Sequence, residues 1–95
     1  MNEFFASLGT RWHEAARRRG ATIEAPALDP AVAEELLQLA RVVAHAKERS
    51  YAPLASFTAG VAVERLRAAM ALDPAAVAAY IREVREALER DLGAG

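Results

Sequence analysis

Arg41, His45 and Arg49 recur at i, i+4 and i+8 within the stretch LLQLARVVAHAKERSYAPLASFTAG, residues 36–60. If that stretch is helical, the three basic heads share one strip of surface. Ser50 and Ser56 flank Pro53, a residue suited to the first turn of a helix, whose unpaired N–H groups would then lie close to the strip. Two planar guanidinium forks, a titratable imidazole, hydroxyls and the partial positive charge of a helix start together suit a phosphate or a carboxylate. The same spacing also fits a solvated helix face with cations near its C-terminus, or an Arg41–Glu48 pair that locks helices together.

Other chemistries find less support. His45 and Glu48 stand at i,i+3, but the Glu-x-x-His order of di-iron bundles is reversed here and occurs once, and His13 and Glu14 are adjacent and point apart. No metal site and no cofactor are expected. The chain has no cysteine, and a serine nucleophile would need Ser50 or Ser56 beside His45 together with an oxyanion hole, which nothing signals. No strand followed by a Gly-rich phosphate loop is present, so a nucleotidyltransferase is not expected either. The run Arg17–Arg18–Arg19 reads as a solvated helix end, and a net charge of -1 provides no field that would draw nucleic acid or an acidic membrane.

The elements that must position the strip are predicted as helices. The hydrophobic fraction of 54% contains only 6% aromatics and is rich in alanine, which suits closely packed helices rather than a sheet. Asn2 caps a first helix over about 2–19, with Phe5, Leu8, Trp12 and Ala16 at helical spacing and Gly20 as its stop. Residues 22–28 read as an extended connector that lays Ile23 on the core. Asp29-Pro30 and Asp73-Pro74 repeat one start signal: the aspartate caps and the proline takes a position whose N–H is spare. They open helices over about 30–48 and 74–92, and Pro53 opens another over about 53–71.

The expected core stripes are Val32, Leu36, Leu39, Ala40 and Val43; Leu54, Phe57, Val61, Ala62, Leu66 and Ala69; and Val77, Tyr80, Ile81, Val84 and Leu88. The third helix is expected to be central, with Gly60 admitting a close neighbour. In the last helix Arg82, Glu83, Arg85, Glu86, Glu89 and Arg90 are expected to stay wet, paired as Arg82–Glu86, Arg85–Glu89 and Glu86–Arg90. Short connections then make an all-α, four-helix up-and-down bundle, a single helical domain over residues 1–95.

Residues 36–60 also resemble the signature of a small uncharacterised bacterial domain, found alone or fused behind molybdenum cofactor guanylyltransferase. The matching positions are Leu36, Leu37, Leu39, Ala40, Arg41, Val43, Ala44, His45, Glu48, Arg49, Ala52, Pro53, Leu54, Phe57, Gly60 and Ala62. Val42 stands where that signature carries an acid, and Ser50-Tyr51 where it carries a proline-containing pair. The resemblance implies an accessory role in molybdenum cofactor biosynthesis and brings no activity. Arginine in place of lysine everywhere but Lys47 fits a GC-rich or heat-adapted bacterial source. Without a basic leader or a long apolar run, a cytoplasmic location is expected.

The functional expectation is a non-catalytic accessory domain. It would bind an anionic small molecule at Arg41, His45, Arg49, Ser50 and Ser56, or a protein partner such as molybdenum cofactor guanylyltransferase. The alternative is a structural module without ligand that forms a homodimer through Phe4, Phe5 and Trp12.

Overall fold

The computed structural model describes residues 2–93. They form four helices: α1 (Glu3–Arg18), α2 (Pro30–Ala46), α3 (Tyr51–Ala69) and α4 (Pro74–Leu92). No strand occurs among the described residues, so the fold is all-α. No helix among them is long and apolar enough to cross a membrane. The chain separates into two compact units, residues 1–30 and 31–95.

In the first unit the caps do what the residue types require. Asn2 Oδ1 accepts the amide of Phe5 at 3.1 Å, and the Arg17 guanidinium, hydrogen-bonded to Glu14, holds that exposed carboxyl below its usual range. At the other end Gly20 adopts a left-handed conformation (φ 84°). Its amide bonds Arg17 O and that of Ala21 bonds Ala16 O, the double closure that a glycine just past a helix end permits. The chain then folds back along α1. His13 Nδ1 lies 2.6 Å from Ile23 O; a carbonyl can only accept, so Nδ1 carries the proton. Gly9 is buried because the Pro26 carbonyl occupies the space a Cβ would need. The connector is therefore anchored through its backbone, while the Ile23 side chain that was expected to anchor it stays exposed.

The second unit is the bundle of α2, α3 and α4, joined by turns at 47–50 and 70–73. Leu39 of α2, Val63 of α3 and Val77 and Ile81 of α4 form its buried centre, flanked by Val32, Leu36, Val43, Ala59, Leu72, Tyr80 and Leu88. Asp73 caps α4 as expected, its Oδ1 accepting Ala76 N at 2.8 Å with Pro74 following. The bounds of α2 and α3 differ from expectation. The first ends at Ala46, two residues early, and the second begins at Tyr51, two residues before Pro53.

One charged side chain lies inside this bundle. Glu35, 8% exposed, takes the Arg82 Nε at 2.9 Å and Arg85 Nη2 at 3.4 Å, and Arg85 Nη1 reaches Glu89 at 2.6 Å. Arg85 and Glu89 form the expected i,i+4 pair but are half-buried rather than wet. Arg82 turns to α2 in place of Glu86.

Two substitutions test these anchors. Glu35→Ala removes the carboxylate that Arg82 and Arg85 share and leaves half-buried Arg85 with Glu89 alone, and should cost about 2 kcal/mol, whereas Arg82→Ala, at a side chain 47% exposed, should cost about 1 kcal/mol or less, both read by urea denaturation. Gly9→Ala improves helix propensity by about 1 kcal/mol yet drives a methyl into the Pro26 carbonyl. Faster amide exchange or proteolysis across residues 21–28 is the expected result.

Candidate functional site

The basic strip begins as expected and then breaks. Arg41 and His45 both lie on the exposed side of α2, one turn apart. Because α2 stops at Ala46, Arg49 sits in the following turn, outside the helical register that would align it with the other two. Arg41 Nη1 donates to Gln38 Oε1 at 2.8 Å, and Gln38 in turn donates to Glu34. Among the described residues no hydrogen bond or ion pair joins Arg41, His45 and Arg49 to one another, and no three His, Asp or Glu gather as a metal would require.

The start of α3 is also built differently from a free anion-binding terminus. Ser50, which precedes it, has helical backbone angles (φ -67°, ψ -16°) and makes no side-chain cap. The amides of Tyr51 and Ala52 are already taken by Glu48 O and Arg49 O at 3.1 Å, and Pro53 has no N–H. The Ser50 hydroxyl donates to Glu48 Oε1 at 2.7 Å, which brings a carboxylate to the place where an anion would dock. Ser56 is half-buried in the second turn of α3. The hollow beside this helix start is lined by Val43, Tyr51, Leu54, Ala55 and Thr58, none of them basic.

What the structure does assemble is an apolar face on α3. Leu54 is 63% and Phe57 72% exposed, although both were expected in the core. The helix turns Ala52, Ala55, Ala59, Val63 and Leu66 inward instead, and of its residues only Val63 is buried. Its apolar residues surround the axis, so their spacing does not select one inward face. Gly60 meets no neighbour at all. The crossing that would offset its cost of about 1 kcal/mol relative to alanine is not made by α2 or α4.

Alanines facing α4 leave a shallow gap. A hollow of about 240 Å³ opens between the two helices, floored by Ala55, Ala59 and Ala62 and walled by Tyr80, Val84 and Leu88. A second, wider one continues along α3 past Phe57, Val61 and Arg65 to Ala69. Exposed Tyr51 and Val84 extend the face. On α1, Phe4 packs edge-on against Phe5 at 5.1 Å between ring centres; Phe4 and Trp12 are exposed rather than packed inward.

The chain matches the family described as a domain of unknown function, DUF6457, over residues 6–94. It belongs to that family. No curated protein and no solved structure gives a match. Val42, which stands where the signature resembled by residues 36–60 carries an acid, is buried on the inward side of α2, away from Arg41 and His45. That position faces the core, so it contributes packing to this chain and no charge to the strip.

Glu35 was missed because Glu34-Glu35 reads as a charged step on the wet side. The available signal was phase: Glu35, Leu39 and Val42 fall at i, i+4 and i+7, the buried line of α2. A carboxylate at position 42 would face the same interior. Val42→Asp should accordingly cost at least about 2 kcal/mol in urea denaturation.

Proposed function

We propose that this domain is a non-catalytic accessory that works by docking protein, with the apolar face of α3 and its border with α4 as the docking surface. The observation that carries the reading is the outward placement of Leu54 and Phe57. Two large apolar side chains one turn apart, continuous with Tyr51, Val61 and Val84, make a patch of a kind that folded chains seldom leave bare without a partner. A protein surface fits this site better than an anion, because the basic residues nearby are spread over a helix and a turn. One of them is tied to Gln38, and Glu48 sits among them.

The setting we propose is molybdenum cofactor biosynthesis, an assignment supported by the resemblance of residues 36–60. In that setting the domain would bring subunits together and leave the chemistry to the enzyme it accompanies.

The reading requires that the face be dispensable to the fold. In dilute solution the double substitution Leu54→Glu with Phe57→Glu should change unfolding free energy by no more than about 0.5 kcal/mol, as solvent-facing substitutions do. A loss of about 3 kcal/mol or more, the size expected for buried apolar side chains, would show that the chain itself needs this face and would end the proposal.

A further inference from the structure

The face on α3 presents two complementary features side by side. Phe57 projects from it, while the adjoining hollow, with its alanine floor, is about 240 Å³, room enough for a benzyl group. A knob and an unfilled hole on one surface are what a two-fold pairing needs, since under that symmetry residue i of one copy meets residue j of the other and j meets i. We infer that the partner is a second copy of this chain, paired face to face so that each Phe57 ring enters the hollow bounded by Tyr80, Val84 and Leu88 of the other. This rests on the reading of the α3 face as a docking surface and names its occupant.

Three further observations favour a second copy. Beside Phe57 and Val61 the exposed residues Glu64 and Arg65 of α3 carry both signs, so two copies can approach without a single-sign repulsion. The exposed apolar side chains of the face amount to on the order of 500 Å² per copy, so pairing removes about 1,000 Å², the lower end of the range for specific association. Gly60, bare on the outer side of α3, lets a second backbone come close where a side chain would hold it off.

Sedimentation equilibrium of the full chain from about 1 μM to 1 mM tests this, together with Phe57→Ala, which removes the knob, and Val84→Arg, which places a charge on the wall of the hole at an exposed position. A reversible dimer is expected, with its dissociation constant raised at least about tenfold by either substitution while the helical circular dichroism is unchanged. In a mixed sample of labelled and unlabelled chains, intermolecular NOEs should join the Phe57 ring to the Val84 and Leu88 methyl groups. A wild-type monomer at 1 mM overturns the inference, as does a dimer indifferent to both substitutions. If one variant fails to fold, the other decides. A monomeric wild type whose Leu54→Glu, Phe57→Glu form remains as stable would sink the second copy alone. Collapse of that double variant in dilute solution would sink the docking surface itself.

Discussion

A carboxylate held at 8% exposure must find cations or unfold its surroundings, and Glu35 finds two on a different helix. Arg82 and Arg85 lie on one flank of α4, at i and i+3, and both reach the same carboxyl group. The ion cluster thus fixes the rotation of α4 about its axis as well as its distance from α2. A slip of one residue would move both guanidinium groups by about 100° around the helix and leave a buried charge without its partner. With that flank committed to α2, Val77 and Ile81 point to the centre and Tyr80, Val84 and Leu88 are left on the flank towards α3.

The small residues of α3 determine what happens on that second flank. Ala55, Ala59 and Ala62 contribute single methyl groups to the contact, so the helices approach without filling the space between them. Well-packed interiors rarely leave such volume empty. The large side chains nearby, Leu54 and Phe57, stand outward beside it and do not fill it. The surface that most invites a partner is therefore the counterpart of a core built with alanine.

The stretch that first drew attention for its charges matters for a different reason. Residues 47–50 form a turn that uses the Glu48 and Arg49 carbonyls to bind the first amides of α3, so α3 starts before its proline and its phase is set there. Arg41 and His45 remain on the wet side of α2, and their register was legible from spacing alone. The place of Arg49 was not, because the end of α2 depends on a local turn with no glycine or cap residue to announce it.

The amino-acid sequence by itself determined where α1 begins and stops and where α4 begins: Asn2, Gly20, Asp73 and Pro74 act on backbone groups within a few residues of themselves, so nothing distant can override them. It also determined the class, since alanine-rich amphipathic segments separated by such signals leave no alternative to packed helices. Only the tertiary structure decided which side of α3 faces inward, because apolar residues surround that helix and every rotation buries some of them. It also decided that Gly9 serves the Pro26 carbonyl, and that Glu35 pairs with arginines 47 and 50 residues away. Those contacts join segments distant in the chain, and their energies exist only once the segments have met.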